Sequence, residues 1–391
     1  MNKVKFFCSA ILIAVISMGG YSQESSSVTN LMKSDSRLTI GGYGQVDYNQ
    51  DWSKESLNNG KLDVHRMVML FGYKFSDKTQ FVTELEFEHV KEVYVEQAFI
   101  DHKILPFLSF RAGLMLVPMG LTNLFHEPTA FFGVERPNLD SKIAPTTWRE
   151  IGAGFTGFVS GITLKYELYI MNGFNGYNGS GKFRGTDGFR KGRQKGAESF
   201  MSSPSFAGRV SYYGIPGLNV GYSSYTGKSQ STLFDGLDRN DSQAFAVADS
   251  SRVGISMHGV DIRYRAHGIY SKAQLYAVNI SNTDQYNIFS GSDLGSRMFG
   301  YYVELGYDVL SSTKSSQKLI PFIRYEKYNT HKATEGNLEI NPAFDRNEIT
   351  TGISYYLTDK SVLKADIQFF GSKDPSSTYS KRLNFGVGVW F

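Results

Sequence analysis

Four places in the chain carry residue types and spacings that could do chemistry. GAGFTG at 152–157 has the glycine spacing of a dinucleotide-binding turn. That motif works by opening a helix, so that backbone N–H groups meet a pyrophosphate. Here it lies inside an alternating stretch with no helix after it, and its glycines read as small residues on a crowded inner wall. TGKS at 226–229 has the end of a phosphate-binding loop, but Gly221 stands one residue too far from Gly227 and again no helix follows. His126–Glu127 offers two metal-ligand types. Adjacent residues point in different directions, and none of the seven histidines has HExxH or paired spacing, so the pair reads as loop-fixing hydrogen-bonding groups. The fourth place is basic: Lys182, Arg184, Arg190, Lys191, Arg193 and Lys195, with only Asp187 opposing them. Positive potential gathered in one loop raises the local concentration of anions; the same loop would equally suit contact with an anionic surface. There is no GxSxG elbow. The sequence points to no catalytic residue, metal site or cofactor.

The elements that must position these groups are strands. Alternating stretches run at 37–49, 62–75, 79–89, 93–101, 107–117, 150–158, 162–170, 206–213, 218–226, 254–266, 269–280, 297–310, 318–328, 348–357, 361–370 and 381–391. About 16 strands is an even number, as a single-chain bacterial barrel requires. The connections alternate between long and short, the one exception being the short 89–92 where a long one is due. Short turns on one side and long loops on the other are the habit of membrane barrels.

Charge decides between a barrel and a soluble sandwich. By strand phase Arg66, Arg111, Arg209, Arg263, Arg265, Arg324, Lys364, Glu84, Glu86, Glu304, Glu326 and Asp366 all face inward. A sandwich core cannot hold them, whereas a water-filled lumen can. Tyrosines near strand ends (Tyr48, Tyr73, Tyr166, Tyr264, Tyr307, Tyr328, Tyr355) read as interfacial girdles. The expected fold is all-β, a transmembrane antiparallel barrel.

Composition agrees. The chain has 391 residues and 14% aromatics, with a mean hydropathy of −0.27. After residue 22 no stretch approaches the ~20 apolar residues of a membrane helix. Residues 1–22 read as a secretory signal, with Lys3 and Lys5 before an apolar centre and Gly20 and Ser22 before the cut. Residues 23–36 read as a flexible lead-in and 37–391 as the barrel. The single cysteine, Cys8, leaves with the signal, so no disulfide or thiolate chemistry is expected. Cleavage removes two lysines and no acids, taking the net charge from +4 to +2. That balance gives no reason to expect nucleic acid as a partner.

One segment breaks the rhythm. Residues 118–148 hold four prolines and no sustained period, yet carry Leu124, Phe125, Phe131, Phe132 and Trp148. Proline cannot donate to a ladder, and so much apolar surface must pack against something.

The runs AGLMLVPMGLTNLFHEPTAFFGVERP (112–137), IAPTTWREIGAGFTG (143–157) and YIMNGFNG (169–176) resemble the phosphate-selective porin O/P-like family. The resemblance extends over the mature chain, and its terminal VWF, ending at Phe391, is similar to the assembly signal of such barrels. It implies a homotrimeric porin in the outer membrane of a Gram-negative bacterium, surrounded by lipid and lipopolysaccharide and passing small anionic solutes. In that setting segment 118–148 is expected to fold inward as a constriction, anchored by its apolar residues. The expected anion path is Arg111, Arg136, Lys142, Arg149, Arg209, Arg263, Arg265, Arg324 and Lys364. A carbohydrate channel is the alternative, using Tyr43, Tyr169, Tyr213, Tyr302, Phe322 and Tyr356 for stacking. A barrel enzyme or a closed surface-binding barrel is a third reading.

Overall fold

The structure, a computed structural model, describes residues 26–52, 57–376 and 380–391; the expected signal 1–22 lies outside them. Sixteen antiparallel strands close into one barrel. In chain order they are β1 (Leu38–Trp52), β2 (Lys61–Lys74), β3 (Thr79–Glu88), β4 (Glu92–Leu105), β5 (Leu108–Leu116), β6 (Arg149–Val159), β7 (Leu164–Met171) and β8 (Ser205–Ile215). The second half holds β9 (Leu218–Lys228), β10 (Gly254–Ala266), β11 (Ile269–Ser281), β12 (Arg297–Tyr307), β13 (Lys318–Ala333), β14 (Asp345–Thr358), β15 (Ser361–Ser372) and β16 (Ser380–Trp390). Every strand pairs with its neighbours in sequence, and β1 pairs with β16 through Tyr43 opposite Trp390. Two further bonds finish the seam, Gly42 N to Phe391 O at 3.0 Å and Phe391 N to Gly42 O at 2.9 Å.

Burial alternates along the strands in the inverse of a soluble protein. In β12, Val303, Leu305 and Tyr307 are 40%, 49% and 46% exposed, while Glu304 between them is 2% exposed. Apolar side chains outside and charged ones inside suit a wall between hydrocarbon and a polar lumen. Turn chemistry sets the register: β10 and β11 meet through His267–Gly268, both with positive φ (54° and 76°), the two-residue geometry that matches strand twist.

Within the stretch read above as a flexible lead-in, α1 (Ser27–Lys33) forms, capped by Ser26 Oγ accepting from Thr29 N. Leu31 of α1 is buried and fills the space that Gly72 leaves open, where a Cβ would stand 2.1 Å from Leu31 Cδ2. Tyr328, grouped above with the girdle, is 2% exposed and faces inward, since it shares strand phase with Arg324 and Glu326.

Candidate functional site

Segment 118–148 is held at its neck by one side chain. Asn123 Nδ2 donates to Val117 O (2.7 Å) and Trp148 O (3.1 Å), and Asn123 Oδ1 accepts from Trp148 N (2.8 Å). Gly120 enters with φ +75°, and a Cβ there would lie 1.8 Å from Tyr276 Oη, so only glycine fits. Two short helical turns follow, α2 (Leu121–Leu124) and α3 (Leu139–Lys142).

From there the segment's backbone is read, atom by atom, by the buried faces of β11 to β15. Gln274 Oε1 accepts from Leu121 N (3.0 Å), Asp366 Oδ2 from Val134 N (2.6 Å), and Glu326 Oε2 from Leu139 N (3.0 Å). In the other direction Lys364 Nζ donates to Phe131 O (2.6 Å) and Gly133 O (2.8 Å). Ser354 Oγ donates to Phe132 O, and Tyr356 Oη to Thr129 O. Arg324 is fully buried and completely engaged: Nε to Glu326 Oε1 at 2.9 Å, Nη1 to Glu304 Oε2 at 3.4 Å, and both Nη atoms to Glu135 O at 3.3 Å. Asp140 accepts from Tyr276 Oη (2.7 Å) and from Thr122 Oγ1. Its burial nonetheless pushes its carboxyl up to about 6, the two hydrogen bonds only partly offsetting the lost hydration.

Against β1 to β6 the same segment leaves polar groups unmet. His126 donates through Nδ1 to Asn123 O (3.1 Å), while Nε2 points between Glu84 Oε1 at 3.5 Å and Glu96 Oε2 at 3.7 Å. Burial opposes its charge, but Glu96 and Glu84 outweigh burial and push it up to about 9. Arg66 Nη1 stands 3.6 Å from Glu86. Among the described residues, Arg66 Nε and Nη1, Arg136 Nε, Arg149 Nε and both Glu96 oxygens have no hydrogen-bond partner. Arg136 spends one Nη2 donor on His126 O (2.7 Å). Burial, and then the Arg66 charge, pull its guanidinium down to about 10.

Two cavities flank this contact. One of about 650 Å³ is lined by turn residues Ser76 to Thr79, by α1 and by Glu84, Arg111, Tyr169, His126 and Arg209. The other, of about 250 Å³, is lined by Arg66, Glu86, Glu88, Arg136 and Arg190. Glu84 and Glu86 are successive same-face residues of β3, about 7 Å apart along a strand. The two cavities therefore stand one side-chain step apart on that strand.

The expected path residues fall into distinct settings. Arg111 forks onto Asp101 (3.0 and 2.9 Å) and Arg209 onto Asp261 (2.6 and 2.8 Å). Arg263 lies 3.8 Å over the Phe125 ring and Arg265 5.1 Å over Tyr270. Lys142 bonds Asp187 (3.1 Å). Arg324 and Lys364 hold the segment as described. Arg149, buried, and Arg136, half-buried, each keep an Nε without a hydrogen-bond partner. The expected anchors pack in stages: Trp148 is fully buried and stacked 4.0 Å from Phe174, Phe131 and Phe132 are buried, and Leu124 and Phe125 are half-buried. Phe132 meets Phe322 and Tyr270 at ring separations of 5.8 and 5.7 Å. The outer basic loop folds back over the segment. Arg193 Nη1 donates to Thr147 Oγ1 (2.8 Å), and Lys195 lies 5.0 Å from the Tyr94 ring. Of the aromatics weighed for sugar stacking, Tyr43, Tyr302, Phe322 and Tyr356 are buried, and Tyr169 and Tyr213 line the larger cavity.

Glu96 escaped strand-phase reading for a physical reason. A bulge between Glu84 and Leu85 places both Glu96 and Gln97 on the buried face of β4. Arg66 is inward by phase, but nothing in its local sequence marks it among the other inward bases.

A closed ring of sixteen antiparallel strands with charged side chains on its buried face defines the class: this is a porin-type fold. At 11% identity the chain superposes on OmpF of Salmonella typhi, solved in complex with daunomycin, with a TM-score of 0.58 over 90% of this chain and 97% of that one. An anion-selective porin from Comamonas acidovorans gives 0.55 at 13% identity, over 90% and 99% of the two chains. The outer membrane protein OmpT of Vibrio cholerae, in a trimer form, gives 0.52 at 11% identity over 91% and 100%. No protein-family model matches the chain. In sequence, an uncharacterized protein of Aquifex aeolicus (strain VF5) is 31% identical over 344 residues, 84% of this chain and 74% of the relative. The chain belongs to the family of that Aquifex protein.

Proposed function

We propose that the protein is an outer-membrane channel for passive diffusion of small hydrophilic solutes, with a preference for anions, phosphate among them. Segment 118–148 lies within the barrel and narrows it, and the route runs past β2 to β4 rather than past β11 to β15. The observation that carries this reading is the pair Arg66, buried, and Arg136, half-buried, which line the smaller cavity with unmet N–H donors. A guanidinium fork with free donors suits the planar edges of a carboxylate or phosphate. Glu86 beside Arg66 keeps any such site weak enough to release its ion, as conduction requires. Arg149 and Arg190 add positive potential along the way, whereas Arg111, Arg209 and Arg324 are matched by acids and contribute mainly to the wall. The reading includes no catalysis and no cofactor, export by the 1–22 signal, a lipid and lipopolysaccharide surround, chain termination at Phe391 as the assembly signal, and a homotrimer. The trimer form of the Vibrio protein is consistent with that last point.

Planar bilayers test it. Purified protein should insert in stable, stepwise conductance increments, and a KCl gradient should give a zero-current potential of anion-preferring sign. Absence of conductance from folded protein would remove the channel, and a cation-preferring sign would remove the selectivity.

A further inference from the structure

The contact between His126 and the wall has the composition of a metal site. Three buried side chains, Glu84 of β3, Glu96 of β4 and His126 of segment 118–148, bring one ligand atom each to within 4.8 Å of one another. The separations from His126 Nε2, 3.5 Å to Glu84 and 3.7 Å to Glu96, are too long for hydrogen bonds. They are close to the ~3.4 Å edge of a tetrahedron whose centre lies about 2.1 Å from each ligand, the Zn–N and Zn–O distance.

Independent features point to a ligand rather than to mutual contact alone. Glu96 is fully buried, and neither of its oxygens has a hydrogen-bond partner among the described residues; the same holds for His126 Nε2. The imidazole is already turned for ligation, because Nδ1–H is committed to Asn123 O, which aims Nε2 at the two carboxylates; a bound ion would displace the Nε2 proton. Glu84 is oriented by Gln97 Nε2, which donates to Oε2 (2.6 Å), and by Tyr43 Oη, which donates to Oε1 (3.1 Å), the oxygen that faces His126. Arg149 Nη1, 3.9 Å away, faces the other Glu96 oxygen and leaves Oε2 for the centre. The bulge that aims Glu96 inward is the kind of irregularity that places a side chain at a site.

We infer that Glu84, Glu96 and His126 bind a divalent transition-metal ion of the Zn²⁺ class, tethering segment 118–148 to β3 and β4. One imidazole and two carboxylates favour such an ion over Ca²⁺ or Mg²⁺, which prefer all-oxygen sets. A water from the adjoining cavity, which Glu84 and His126 line, completes four-coordination. The tether joins the wall on the side where hydrogen bonds to the segment are few.

The test needs no transport assay, so it stands or falls apart from the channel reading. Chelator-stripped protein in detergent is loaded with Zn²⁺ alone, desalted and measured for zinc per chain, with folding checked by heat-modifiable gel migration. The expected result is one zinc per folded chain. Zn²⁺ affinity should fall by at least ~100-fold in His126→Ala and in Glu96→Gln, since even outer-shell changes cost about 10–100-fold. His102→Ala, at an exposed histidine on the barrel's outer face, should retain it. Folded wild type that keeps no zinc, or folded His126→Ala and Glu96→Gln that keep it at wild-type affinity, would overturn the assignment.

Discussion

The two walls that hold segment 118–148 use the same residue types to opposite effect. On β11 to β15, every charge reaching the segment is answered. Arg324 meets Glu326, Glu304 and a segment carbonyl; Lys364 meets two carbonyls; Asp366 meets a backbone N–H and Asn384. On β2 to β6, Arg66, Arg149 and Glu96 are equally buried but keep open donors or acceptors. A satisfied buried network fixes a conformation, whereas an unsatisfied one costs free energy that only a ligand, water or ion recovers. The first wall is therefore the mount, and the second is the one the proposed path follows.

That contrast can be broken most forcefully at Arg324. Arg324→Ala strands Glu304 and Glu326 in the interior, and losing one partner of a buried pair costs about 3–5 kcal/mol. Denaturant unfolding in detergent should register a loss of that size, with a clearly smaller one for Arg66→Ala. Equal losses would erase the distinction between mount and path.

A smaller effect sharpens the same point through pH. Asp140, on the mount side, has a folded value raised to about 6 by burial. The folded state thus holds a proton that the unfolded chain has released above its ordinary carboxyl pKa of about 4. Stability contributed by that proton is present at low pH and is lost as pH rises from about 4 through 6. Asp140→Asn should remove a decline on the order of 2–3 kcal/mol across that window, at about 1.4 kcal/mol per unit. An unchanged slope of unfolding free energy against pH would mean that Asp140 is hydrated in the folded protein.

Much of the frame was legible in the sequence, because period two, turn residues and connection length are local signals. The inverse burial of Glu304 beside Val303 and Leu305 follows from phase alone. Phase also marks which bases face inward. It cannot tell Arg209, forked onto Asp261 from a strand two away, from Arg66, left with open donors. Pairing across the barrel is set by stagger and by where segment 118–148 lies, and neither has a sequence period. Glu96 was hidden for a sharper reason: one bulge shifts the phase of β4, so alternation counted back from the buried Phe99 and Asp101 assigns that residue to the outer face, whereas counted from Val93 and Val95 it falls inside. His126 was visible as a candidate ligand beside Glu127, but its partners are Glu84 and Glu96, roughly 30–40 positions earlier in the chain.

The most direct test of the path compares zero-current potentials in a KCl gradient for wild type, Arg66→Gln with Arg136→Gln, and Arg265→Gln. Arg265, over Tyr270 on the mount side, serves as the matched removal of one inward charge. The double variant should move the anion-to-cation permeability ratio strongly toward or below unity while Arg265→Gln leaves it nearly in place. A ratio unchanged in the double variant, with single-channel conductance intact, would contradict the account.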